Sequence, residues 1–115
     1  MEPKKLAGRI AHILNDKKAA DIRLLEVAEL TTLADYFVIA TGTSAPHLKT
    51  LAEEVEFVLK KEDITPGHTE GRNSGSWVLL DYGSVVVHLL QREAREFYSI
   101  ERLWADAKVF VNEDE

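Results

Sequence analysis

The run Tyr36-Phe37-Val38-Ile39-Ala40 is unbroken in its apolar character and rich in β-branched and aromatic residues. Such a run fits a strand buried on both faces, which places it at the centre of a sheet. Thr41-Gly42-Thr43-Ser44 ends it, and Ser44 is suited to cap a following helix whose early Pro46 falls in the first turn, where amides lack intrahelical partners. Along that helix Leu48, Leu51, Ala52, Val55, Val58 and Leu59 make one apolar stripe, while Glu53, Glu54, Glu56, Lys60 and Lys61 fall largely outside it. Pro66-Gly67 closes the region. The order strand, helix, strand is a βαβ arrangement, with a right-handed crossover if the segment His68 to Glu70 pairs in parallel.

Other segments attach to this centre. Leu6, Ile10, Ile13 and Leu14 recur at helical spacing between Lys4 and Lys18. Asp21 to Val27 reads as a short strand. Ser76 to Leu80 and Val85 to Leu90, joined by Asp81-Tyr82-Gly83-Ser84, read as a hairpin. Arg92 to Trp104 reads as one helical segment or two short ones. The expectation is a mixed-sheet α/β domain over residues 1–109, with about five strands and three or four helices, followed by a mobile acidic tail over 110–115.

Composition narrows the function. There is no cysteine, so disulfides, thiolate metal sites and a thiol nucleophile are excluded. The N-terminus lacks the apolar core of a signal peptide, and no apolar run approaches the ~20 residues needed to span a bilayer, so a soluble cytoplasmic protein is expected. Fourteen Lys and Arg against twenty Asp and Glu give a formal charge of -6. The bases are interleaved with acids, as in Arg92-Glu93-Ala94-Arg95-Glu96, which disfavours direct nucleic-acid contact and favours a basic protein partner.

Catalytic patterns are thin. The Gly42 turn could offer helix amides to a phosphate, yet it has neither the lysine of a P-loop nor three spaced glycines. His12, His47, His68 and His88 show no metal-ligand spacing, and His88, inside an apolar strand, reads as a core histidine. Asp35 and Asp81 each sit at a strand edge, where acids could serve metal-assisted nucleotidyl transfer, but no closely spaced acids follow Ser44. A nucleotide-binding or nucleotidyl-transferring enzyme using the Gly42 turn and Asp35 is therefore the rival reading. A dimeric scaffold is a third.

The aromatic residues say more. Alternation puts Trp77, Leu79 and Asp81 on one strand face and Val78, Leu80 and Tyr82 on the other. Phe97 and Tyr98 are about 100° apart on a helix, as are Leu103 and Trp104, so one core cannot easily take every ring. Either two helical layers bury them all, or they form a binding patch ringed by Glu70, Asp81, Glu101 and Asp106, suited to a basic partner.

Ala34-Asp35-Tyr36-Phe37-Val38-Ile39-Ala40-Thr41-Gly42-Thr43-Ser44, Gly75-Ser76-Trp77-Val78-Leu79-Leu80-Asp81-Tyr82-Gly83, Val87-His88 and Arg95 to Trp104 together resemble the ribosomal silencing factor (Iojap) family, in the family's order and over nearly the whole chain. The resemblance implies a fold related to nucleotidyltransferases without their catalytic acids, no cofactor, and members able to form homodimers. It implies binding to the large ribosomal subunit through the universal large-subunit ribosomal protein fourteen, which blocks small-subunit joining and represses translation. Carried onto this chain, the partner surface is Trp77, Leu79, Asp81, Tyr98, Leu103 and Trp104, with Glu70 and Asp106 beside it. The chain departs from the family's pattern at Ser84, His47 and Leu90.

Overall fold

The computed structural model describes residues 1–111. In chain order the elements are α1 (Pro3–Asp16), β1 (Ala20–Glu26), β2 (Tyr36–Gly42), α2 (Ala45–Lys60), β3 (His68–Glu70), β4 (Trp77–Asp81), β5 (Val85–Gln91), α3 (Arg92–Tyr98), α4 (Ile100–Leu103) and β6 (Lys108–Val111). The strands form one mixed sheet in the order β3-β4-β5-β2-β1-β6, so the expected α/β class holds.

β2 is buried along its whole length, as a strand apolar at every position must be. Its neighbours are β5, in parallel from Tyr36 opposite Val85 to Gly42 opposite Gln91, and β1, antiparallel. β4 and β5 make the expected hairpin, with Leu79 opposite His88 and Asp81 opposite Val86. β3 does not join β2. It pairs antiparallel with β4 at the sheet edge, because the parallel place beside β2 is taken by the longer, mostly apolar β5, which buries far more surface there than three polar residues could. A sixth strand, unforeseen in the sequence, lies at the other edge: β6 pairs antiparallel with β1, Phe110 opposite Leu24. The sheet thus takes in Phe110 and Val111, which the sequence reading assigned to the tail; residues 112–115 of that tail lie outside the described residues.

One face of the sheet is sealed by α1 and α2. Leu6, Ile10 and Leu14 of α1 and Leu48, Leu51, Val55 and Leu59 of α2 pack against Val38, Ala40, Val78, Leu80, Val87 and Leu89. Each such side chain contributes roughly 1.5–3 kcal/mol on burial. Gly42 sets the approach of α2: a Cβ there would stand 2.7 Å from Leu48 Cδ2. Ser44 caps α2, its Oγ accepting the His47 amide at 3.1 Å, as expected from its position.

The opposite face is only partly roofed. Leu25, Phe37, Ile39, Val86 and Leu90 are covered by Ile100 and, at the margins, by Ala94, Trp104 and Ala107. The roof is short because Ser99 adopts a left-handed conformation, φ 49°, which breaks the segment into α3 and α4. The break turns Ile100 inward and leaves Tyr98 at the surface.

Candidate functional site: a half-roofed aromatic face

The partly roofed face begins with the pleat of β4. Val78 and Leu80 are buried beneath the helices, while Trp77, Leu79 and Asp81 alternate to the other side and stay half-buried, as the strand period requires. Trp77 lies diagonal to His88 on β5 and donates its indole N–H to His88 Nδ1 at 3.3 Å. Tyr98 leans over Trp77 with ring centres 4.7 Å apart, and Phe97 meets Tyr98 edge-to-face at 5.0 Å. Inward, His88 meets Phe37 edge-to-face at 4.9 Å, and Phe37 meets Trp104 at 5.1 Å and 90°. Six rings therefore run in one chain across this face, in the tilted and edge-on geometries that aromatic quadrupoles favour.

Neither reading of the aromatic surplus described both helical pairs fully. Phe97 and Tyr98 are both exposed, at 80% and 48%; Leu103 is 76% exposed while Trp104 is half-buried. A groove of about 420 Å³ opens between Glu70, Ser76, Trp77, Leu79 and Tyr98. A second of about 280 Å³ adjoins it through Glu70 and Leu79, and extends over Leu33, Phe37, Asp81, Val86 and His88. The rim is acidic. Glu70 is hydrogen-bonded to His68 at 2.7 Å, and Asp81 Oδ1 accepts the Gly83 amide at 2.8 Å, which fixes the hairpin turn.

The structure gathers Trp77, Leu79, Tyr98, Glu70 and Asp81 around these grooves, with Trp104 joined through Phe37. It sets Asp106 apart, in a depression with Glu26, Glu29, Leu30 and Lys108. Glu101, read as part of the acidic ring, instead holds Arg95 through two hydrogen bonds of 2.6 and 3.1 Å. That ion pair keeps the Glu101 carboxyl below the usual carboxylate range. Arg95 is buried and also donates to Thr41 Oγ1 at 2.8 Å, so it ties α3, α4 and the end of β2 together. Replacing Arg95 with Met should cost about 2 kcal/mol of stability, discounted because Glu101 is partly solvated, and should loosen the corner carrying Tyr98 and Trp104; urea denaturation monitored by tryptophan fluorescence measures both effects.

Phe37 and His88 were missed as members of this face. Both sit in strands buried at nearly every position, where alternation gives no sign of which side a residue takes. Burial drives His88 down to about 4, so its ring is neutral at physiological pH.

The rival enzyme site does not assemble. Asp35 precedes β2 and Gly42 ends it, so the two stand roughly 20 Å apart at ~3.3 Å per residue. Gly42 has its own structural reason in the contact with Leu48, and Ser44 occupies the helix cap. No helix among the described residues is long and apolar enough to cross a membrane.

Against known proteins, the family model described as ribosomal silencing factor during starvation matches residues 1–115. The chain belongs to the ribosomal silencing factor family. Among relatives of this family, Ribosomal silencing factor RsfS of Chromobacterium violaceum is 38% identical over 108 residues, covering 94% of this chain and 88% of the relative. A crystal structure of a Chromobacterium violaceum protein superposes with a TM-score of 0.88 at 38% identity, covering 91% of this chain and 88% of that one. A mouse relative, Mitochondrial assembly of ribosomal large subunit protein 1, is 34% identical over 98 residues, covering 83% of this chain and 43% of its own length. The resemblance seen in the motifs is thus a family membership, and translation regulation is the family's setting.

Proposed function

We propose that this silencing factor binds the large ribosomal subunit through a basic ribosomal protein, the universal large-subunit ribosomal protein fourteen, and represses translation by occupying volume the small subunit needs. The observation that carries the reading is the six-ring chain on a half-roofed face: apolar and aromatic surface left open beside Glu70 and Asp81 suits a partner that brings both apolar anchors and positive charge. Trp77, Leu79 and Tyr98 are the central contacts, Leu103 and Trp104 extend them, and Glu70 and Asp81 select charge. Asp106, in its separate depression, would contribute only at the periphery.

The mouse relative's printed name, which concerns large-subunit assembly, supports the choice of subunit. The mechanism needs no chemistry by the chain. Its extents of 34 × 34 × 27 Å make an obstacle large enough to hold two ribosomal surfaces apart. A standard interface takes ~800 Å² from each partner, a modest part of the 6563 Å² this chain exposes.

The test is subunit association followed by light scattering. Large subunits preincubated with this protein should join small subunits slowly and incompletely, and the block should weaken as small subunits are raised in excess. Unchanged joining at saturating protein contradicts the steric mechanism.

A further inference from the structure

Away from the aromatic grooves, a pocket of about 490 Å³ gathers four arginines from three elements: Arg23 of β1, Arg92 and Arg95 of α3, and Arg102 of α4. In sequence the bases of α3 alternate with acids, but Arg92, Arg95 and Glu96 share one helical face and Glu93 stays out of the pocket. β1 bulges here, with Asp21 and Ile22 set against Ala40 alone, and Asp21 is left-handed at φ 50°. Bulges re-aim the side chains around them, and with Ser99 this puts two left-handed non-glycine residues at one pocket. Two of the three acids already have a cation: Asp21 pairs with Arg92 at 2.5 Å and Glu101 with Arg95, and those arginines hold both carboxyls below the usual carboxylate range. What remains is Glu96 against Arg23 and Arg102. Arg102 has no side-chain partner among the described residues, and Arg23 donates only to the Ile22 carbonyl, at 3.1 Å.

We propose that this pocket binds a phosphate group, received by the guanidinium groups of Arg23 and Arg102, with the Arg92–Asp21 and Arg95–Glu101 pairs as its walls. The inference stands apart from the reading of the aromatic face as the partner surface. A carboxylate is satisfied by the fork of one arginine, whereas a phosphate carries more charge and more acceptor oxygens and can engage two arginines set on different elements. A chain of formal charge -6 repels anions on the whole, so a concavity with more free guanidinium than carboxylate is where one can be held. The aromatic grooves and the depression around Asp106 carry more acids than Lys or Arg instead. Arg95, fixed by Glu101 and Thr41, holds the start of α4 against the end of β2 before any ligand arrives, so Arg102 needs little ordering on binding. Ribosomal RNA and a free phosphorylated small molecule present the same oxyanion, and experiment separates the two.

The probes are inorganic phosphate and a short single-stranded RNA, each titrated into wild type, R102Q and E96Q while the arginine Nε–H resonances are followed. Arg102 and Glu96 are exposed and neither forms an ion pair among the described residues, so both variants keep the fold. In wild type the Arg23 and Arg102 resonances are expected to move and saturate. R102Q should bind about 5-fold more weakly and E96Q more tightly, opposite changes that an incidental surface arginine does not produce. Glu113, Asp114 and Glu115 come directly after β6, whose Val111 stands opposite Arg23, and they compete with the probe for its charge. The titrations are therefore repeated with E113Q, D114N and E115Q combined, where binding should be stronger. An RNA source is assigned if RNA saturates the site at concentrations where phosphate does not and R102Q lowers the slope of log affinity against log salt by about 0.7. A free ligand is assigned if phosphate saturates the site and RNA brings no gain. Arginine resonances unmoved by either probe in either background, or R102Q and E96Q binding like wild type, overturn the proposal.

Discussion

Replacing Tyr98 with alanine should weaken binding to the large subunit by about 30-fold or more, the equivalent of ~2 kcal/mol, while leaving the melting temperature nearly unchanged. The two halves of this expectation have separate causes. Tyr98 is half exposed, and its ring contacts are with Trp77 and the still more exposed Phe97, so its removal opens no cavity in either core. At an interface, the same ring would be a rigid anchor with few rotatable bonds, seated over an indole already fixed by His88. Trp77→Ala should be as harmful to binding, but it also strips His88 of its hydrogen-bond donor and exposes the sheet, so part of its effect would be on stability. Tyr98 is therefore the cleaner probe. Titration of each variant against fluorescently labelled large subunits, with thermal melts in parallel, measures both quantities. A Y98A protein that binds like wild type would show that the open aromatic face is not the contact.

The second large effect is on stability as a function of pH. His88 titrates at about 4 in the fold against an ordinary 6.5, because burial penalises its charged form. As pH falls below 6.5 the unfolded chain takes up a proton that the native ring refuses, so stability declines through the window from 6.5 to about 4 and the penalty levels off below it. That gap, at 1.36 kcal/mol per unit, corresponds to about 3 kcal/mol. Protonation would also put a hydrogen on Nδ1, against the Trp77 N–H. Urea unfolding of wild type and H88F between pH 7 and pH 4 isolates the contribution, since the carboxylates act in both proteins. The wild type should lose about 3 kcal/mol more than H88F across this range. Parallel curves would mean that water reaches His88 and the ring is not desolvated.

How much of this was legible in the sequence depends on how one-sided each segment is. β2 and α2 were readable because one is apolar at every position and the other carries a single stripe, and few folds satisfy both. The hairpin was readable from its turn. β3 was misplaced because three residues hold no information about which strand they join; the competition with β5 for the place beside β2 is settled only by total burial. β6 was overlooked because Lys-Val-Phe-Val sits directly before the acidic end, and what makes it a strand is the free edge of β1, some eighty residues earlier.

The site divides the same way. Trp77, Leu79 and Tyr98 were readable as surface candidates because alternation and helical rotation turn them away from the helix-covered core, and the fold leaves Trp77 and Leu79 half-buried and Tyr98 exposed. Leu103 and Trp104 were paired by rotation alone, and the fold turns Leu103 outward while Trp104 packs on Phe37. Glu101 and Asp106 were grouped with the acidic ring from proximity in sequence, and the fold separated them: Glu101 goes beneath the corner to Arg95, Asp106 goes to another depression. Phe37 and His88 stayed hidden inside strands buried on both faces.

Binding of the large subunit through the open aromatic face has a direct physical readout. Sedimentation of isolated large subunits through a sucrose cushion, with wild type and Y98A protein in parallel, tests it most directly. Near-stoichiometric wild-type protein is expected in the pellet, with Y98A left in the supernatant. Wild type remaining in the supernatant, or both proteins pelleting alike, would contradict it.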